Sequence, residues 1–186
     1  TQRRWTYAQL DDASDNLALN LLELGLRPLD RVVPTLPNVA EFVILYFALQ
    51  KIGAIPIAAL VTHRFAEISQ FTKLSQARCA VYPEKVHEKE GDFHFGPVID
   101  RVQADNPCLQ LRLVLGTPGP GEHSLTKLIE RPATRTRGAL RDIAIHPDDP
   151  CIFQLSGGTT GIPKLIPRTN NDYAYNSKRA AEVVEV

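Results

Sequence analysis

Helices with readable start signals alternate with short apolar runs along this chain, and that alternation admits few folds besides a parallel sheet covered by helices. Thr6 with Gln9 three residues later forms a capping box, and Leu10, Ala13, Leu17, Leu21 and Leu24 follow at helical spacing until Gly25 can end the helix. Residues 31–36 then read as a strand, broken by Pro34 and Pro37. Asn38 and Glu41 repeat the capping logic for a second helix over 39–51, apolar around most of its circumference and so expected to be buried on more than one side. Residues 54–59 are continuously apolar, as in a strand covered on both faces. Thr62 is expected to cap a third helix that carries Phe65, Ile68, Phe71 and Leu74 on one face. Further strands are expected at 78–82 and 111–115, with a helix at 95–104 between them. The charged stretch 83–94 reads as a solvated excursion, 116–123 as a loop, and the arginine-rich 131–150 as a solvated connector. The fold class this predicts is α/β, with a largely parallel sheet whose ligands sit beyond the carboxyl ends of its strands.

The chemistry gathers in residues 151–173, CIFQLSGGTTGIPKLIPRTNNDY. An apolar run feeds a loop in which Gly157, Gly158 and Gly161 let backbone N–H groups converge. Ser156, Thr159 and Thr160 add hydroxyls to that loop, and Lys164 adds a mobile positive charge. A polyphosphate suits these groups best. The common P-loop is excluded, because Pro163 separates Gly161 from Lys164 and residues 165–168 read as a short edge strand. A tight ligand-free hairpin would use about two to five linking residues. Nine separate Leu155 from Leu165. A last helix is expected from about Asp172, capped by Asn170 or Asn171.

The stretch LSGGTTGIPKLIPRTNNDY resembles the phosphate loop of adenylate-forming enzymes, and Phe153-Gln154 with Leu165-Ile166-Pro167-Arg168-Thr169 narrows the likeness to the aryl-acid branch. That branch holds the 2,3-dihydroxybenzoate:AMP and salicylate:AMP ligases of siderophore assembly. The likeness extends back to Trp5-Thr6-Tyr7, Asn38-Val39-Ala40-Glu41 and Ala58-Ala59-Leu60-Val61-Thr62-His63, so it covers nearly the whole chain. One departure stands out: the branch has Thr-His-Asn-Asp-Tyr where this chain has Thr169-Asn170-Asn171-Asp172-Tyr173. The resemblance implies that residues 1–186 are part of the large N-terminal domain of such an enzyme, with the phosphate loop at 156–164. It implies ATP with Mg²⁺, formation of aryl-AMP with release of pyrophosphate, and transfer of the aryl group to the phosphopantetheine thiol of an aryl carrier protein. The aryl pocket and a C-terminal domain bearing a catalytic lysine would lie beyond Val186, so no catalytic residue is assigned and the chain alone is expected to be inactive. An aryl- or acyl-CoA ligase shares the loop, a non-catalytic fold fragment predicts no nucleotide binding, and a kinase predicts γ-phosphate transfer.

Charge and composition remove other partners. Twenty-one basic and twenty-one acidic side chains leave no net charge, so neither nucleic acid nor an anionic membrane is expected as a partner. No apolar run approaches a membrane span and no signal peptide opens the chain, which makes the cytoplasm the expected compartment. Cys79, Cys108 and Cys151 form no CxxC pair and fit buried thiols in a reducing compartment. His87-Glu88-Lys89-Glu90-Gly91 fails the HExxH pattern at Gly91, and no protein-encoded metal site is expected. The absence of methionine and the stop within a helical pattern lead to the expectation of a longer parent.

Overall fold

The computed structural model describes residues 3–156 and 163–184. Chain order runs α1 (Tyr7–Glu23), β1 (Arg31–Pro34), α2 (Ala40–Lys51), β2 (Ile55–Pro56), α3 (Phe65–Ser75), β3 (Cys79–Pro83), β4 (Lys85–Glu88) and β5 (Gly91–His94). It continues with α4 (Gly96–Asp105), β6 (Leu111–Leu115), β7 (His123–Ser124), α5 (Leu125–Glu130), α6 (Gly138–Arg141), β8 (Pro150–Leu155), β9 (Leu165–Thr169) and α7 (Asn170–Val184). Strands β2-β1-β3-β6-β7 form a five-stranded sheet in which every pair is parallel. The protein is therefore α/β with a parallel sheet, as the alternating pattern predicts.

Strand alternation divides the core into two layers, because successive side chains point to opposite faces of a sheet. Val32, Cys79, Val81 and Leu113 face α1, α2 and α5, where they meet Leu17, Leu21, Leu45, Leu49 and Leu125. Val33, Ala80, Tyr82 and Val114 face α3 and α4, where they meet Ile68, Phe71, Ile99 and Val102. The ladder between β1 and the run after β2 continues past Pro56, through Ile57 N–H to Val32 O at 2.8 Å and Ala59 N–H to Pro34 O at 3.0 Å.

Several local expectations change. The Thr6–Gln9 capping box forms, but α2 starts at an N-cap of Val39 without a side-chain cap bond. Glu41 is engaged elsewhere: Arg3 donates to both its oxygens, at 2.6 and 2.9 Å, and holds the carboxyl below its ordinary range against the opposing pull of burial. The third helix begins after Arg64 and not Thr62, since residues 60–63 close a turn of their own; Arg64 N–H then donates to Glu67 Oε2 at 2.9 Å. Leu74 is 61% exposed, because steps of three fall behind a helix of about 3.6 residues per turn and rotate the last member off the buried face.

The charged stretch 83–94 is an antiparallel hairpin, β4 with β5. Its charges pair across the strands, Lys85 with Asp92 at 2.6 Å, while Val86 and Phe93 sit opposite each other and pack on the α3–α4 side of the core. Residues 131–150 are not a free connector either. Arg131 Nη2 lies 2.9 Å from Glu23 Oε2 and Arg137 Nε 3.0 Å from Asp15 Oδ2, which ties this stretch to α1. Strand β7 and helix α5 carry no expected element; Ser124 caps α5 by accepting from Lys127 N–H at 3.3 Å.

Arg112 and Glu122 form a nearly buried ion pair, with side chains 12% and 8% exposed. The Tyr82 hydroxyl donates to Glu122 Oε1 at 2.6 Å, and Gly119 N–H donates to Oε2 at 2.7 Å. Burial pushes the Glu122 carboxyl up, but Tyr82, Gly119 and Arg112 outweigh it and hold the carboxyl below its ordinary range. Its contribution to stability is therefore present above the unfolded carboxylate value, about 4.3, and lost as pH falls through the folded value. Glu122→Ala, which leaves Arg112 buried without this partner, is expected to cost about 3 kcal/mol in urea unfolding at pH 7, with a smaller cost at pH 3.

Candidate functional site

Strand β8 is joined to the main sheet by one parallel bridge, Ile57 to Phe153, so it runs alongside β2 in the same direction. The loops that leave the carboxyl ends of these two neighbours, after residues 57 and 155, therefore emerge on the same edge of the fold. This is the edge at which parallel sheets present ligands. Strand β9 returns antiparallel to β8, with Leu155 opposite Leu165 and Phe153 opposite Pro167. The nine-residue connection excludes a tight turn, yet the two strands still pair as the arms of a hairpin.

Ser156 and Lys164 close the neck of that connection. Ser156 N–H donates to Lys164 O at 2.9 Å, and Lys164 N–H donates to Ser156 Oγ at 2.9 Å. The serine oxygen accepts here, and a hydroxyl that accepts one bond is a better donor of the next. The Lys164 side chain is exposed and enters no ion pair among the described residues. Gly157, Gly158, Thr159, Thr160 and Gly161 lie outside the described residues, so the structure brings together the two ends of the expected phosphate loop.

A cavity of about 810 Å³ opens at this neck. Ala58, Leu60 and His63 line it from the β2 side, and Ile152, Gln154, Leu155 and Ser156 from β8, with Pro163 and Ile166 on the returning strand. His63 is the residue that motif reading leaves without a role. Its Nδ1 accepts from Leu60 N–H at 3.0 Å, and its ring meets Phe71 edge-on with centroids 5.2 Å apart. Burial lowers the imidazole pKa, with Glu67 pulling it up and Arg64 pushing it down. The available signal was its position, a few residues past the carboxyl end of an apolar strand.

The neck offers a positive charge and donors, which fit phosphate oxygens and not a bare cation. Among the described residues no three His, Cys, Asp or Glu side chains gather closely enough to hold a metal ion. No helix among the described residues is long and apolar enough to cross a membrane.

Asn170 does not cap α7. Thr169 Oγ1 accepts from Asp172 N–H at 3.2 Å, and Asn171 N–H is spent on Pro147 O at 2.9 Å. Asn170 acts as a donor instead, its Nδ2 reaching His146 O at 3.0 Å and Asp149 O at 3.2 Å. It fastens the start of α7 to the segment that enters β8. Asn170→Ala is expected to lower stability by about 1 kcal/mol in urea unfolding.

The AMP-binding enzyme family model matches residues 1–185. The salicyl-AMP ligase / salicyl-S-ArCP synthetase of Mycobacterium tuberculosis is 39% identical over 176 residues, covering 95% of this chain and 30% of that protein. The 2,3-dihydroxybenzoate-AMP ligase of Bacillus subtilis is 35% identical over 182 residues, covering 96% of this chain and 31% of that protein. The apo structure of Mycobacterium smegmatis MbtA superposes with a TM-score of 0.83 at 34% identity, over 100% of this chain and 33% of its own. The chain thus spans about a third of the length of the relatives it matches.

Proposed function

This chain belongs to the AMP-binding enzyme family, and on that premise we propose that its protein activates an aryl carboxylic acid, salicylate or 2,3-dihydroxybenzoate, with ATP and then passes the aryl group to the thiol of an aryl carrier protein in siderophore assembly. Within it, residues 1–186 serve as part of a large N-terminal domain whose residues 156–164 hold the nucleotide phosphates. The observation that carries this reading is the neck at Ser156 and Lys164, where the two residues are hydrogen-bonded to each other and Ser156 lines a cavity at the carboxyl ends of β2 and β8. The names of the relatives supply the substrate class.

The chemical difficulty is repulsion. A carboxylate oxygen must attack an α-phosphorus that already carries negative charge, and the bond from that phosphorus to the bridging oxygen must break so that pyrophosphate leaves. Lys164, the Ser156 hydroxyl and the loop between them would neutralise the β- and γ-phosphates, stabilising the leaving group and turning it away from the attacking oxygen. Each charge-assisted contact of this kind contributes about 1.5–3 kcal/mol. Mg²⁺ bound to the same phosphates supplies further charge neutralisation. A reaction that consumes ATP fits a cytoplasmic protein.

Product analysis on the full-length protein tests this reading. Incubation with ATP, Mg²⁺ and salicylate or 2,3-dihydroxybenzoate is expected to yield aryl-AMP and pyrophosphate, and then an aryl thioester on a holo carrier protein. Aryl-CoA formed in preference to the carrier thioester would move the assignment to a CoA ligase, and ADP in place of AMP would overturn it.

A further inference from the structure

We propose that His63 binds an oxyanion at the Ser156 end of this cavity through its Nε2–H. The proposal rests on reading residues 156–164 as a polyphosphate cradle. Its own support is geometric. Parallel neighbours β2 and β8 deliver His63 and Ser156 to the same edge and into the wall of one cavity. Leu60 N–H occupies Nδ1 at 3.0 Å, and a neutral ring whose Nδ1 accepts must carry its proton on Nε2. Among the described residues Nε2 meets no hydrogen-bond partner, and His63 is part of the cavity wall.

The surroundings favour such a role. Phe71 meets the ring edge-on, and burial lowers the imidazole pKa. Ala58, Leu60, Ile152 and Ile166 make the nearby wall apolar, which strengthens a hydrogen bond formed against it. A purely structural His63 would need only Nδ1, to close the turn from Leu60 to His63. The two nitrogens can be separated by substitution: an asparagine amide sits near the Nδ1 position, whereas a glutamine amide reaches the Nε2 position.

The oxyanion can be a phosphate oxygen or a carboxylate oxygen, and titration of this chain with inorganic pyrophosphate or with salicylate distinguishes them. Nitrogen-detected NMR of the His63 ring is expected to show a saturable shift of Nε2 with one of these probes, pyrophosphate assigning phosphate and salicylate assigning carboxylate. Affinity for that probe is expected to fall about tenfold in His63→Asn and to stay within about threefold in His63→Gln. An Nε2 signal that moves with neither probe, or His63→Asn binding as the parent does, overturns the proposal. Lys164→Ala separates this failure from failure of the underlying reading: if that variant loses pyrophosphate binding while His63→Asn keeps it, only the role of His63 falls. If pyrophosphate binding is indifferent to Lys164→Ala, the cradle reading falls and the proposal with it.

Discussion

Lys164→Ala is expected to lower kcat/KM for ATP–pyrophosphate exchange in the full-length protein by about 10²–10³-fold, the loss typical of removing one preorganised donor from a developing anion. The side chain is exposed and makes no ion pair among the described residues. Stability is expected to stay within about 0.5 kcal/mol of the parent, the usual range for an isolated surface substitution. Lys164→Arg keeps the charge but replaces a compact ammonium by a larger planar fork, and is expected to recover part of the loss. A drop in exchange accompanied by an equal drop in stability would instead make Lys164 a structural residue. Unchanged exchange would remove it from the site.

The 186-residue chain by itself is expected to give no detectable adenylation of salicylate or 2,3-dihydroxybenzoate. On the proposed reading it supplies the phosphate clamp alone, and a clamp without a second site to hold the carboxylate in line forgoes the gain from positioning, roughly 7–11 kcal/mol of a barrier. A loss of that size is about five to eight orders of magnitude in rate. The comparison to make is exchange by the chain against exchange by the full-length protein at matched ATP and acid. Robust exchange by the chain would show that an acid site lies within residues 1–186, and the cavity lined by His63, Gln154 and Ser156 would be the first place to look for it.

The layered architecture was readable because its signals are local and redundant. Thr6 and Gln9 sit three residues apart, the apolar runs of β1, β3 and β6 are short and bounded, and each strand's alternation divides cleanly between two helical layers. What failed to read is what depends on partners far along the chain. Glu41 looks like a capping residue until Arg3 is beside it, and the arginines of 131–150 look solvated until α1 brings Glu23 and Asp15 to them. Charge concealed the β4–β5 hairpin, whose two inward residues, Val86 and Phe93, are outnumbered by exposed neighbours. At the site, residue type and spacing nominate Ser156 and Lys164, and the structure hydrogen-bonds the two to each other. His63 was not readable in that way, since a lone histidine has no motif and its place beside Ser156 in one cavity wall comes from β2 and β8 being parallel neighbours.

Asn170 shows the limit from the other side. Its type matches an N-cap, and a sequence argument stops there. In the structure the hydroxyl of Thr169 takes that role, which frees the Asn170 amide to hold two carbonyls of the segment before β8. Asn170→His is accordingly expected to change exchange by less than about tenfold, a barrier difference under about 1.4 kcal/mol. A larger gain would assign the position a chemical role beyond fastening this turn.

The central claim, that residues 156–164 hold a polyphosphate, is tested most directly by following backbone amide resonances of this chain during titration with inorganic pyrophosphate. The expected result is saturable shifts at Ser156 and Lys164 and in the loop between them, abolished by Lys164→Ala. Shifts confined to the arginine-rich stretch around Arg131, Arg137 and Arg141, or equal shifts in the parent and in Lys164→Ala, would contradict it.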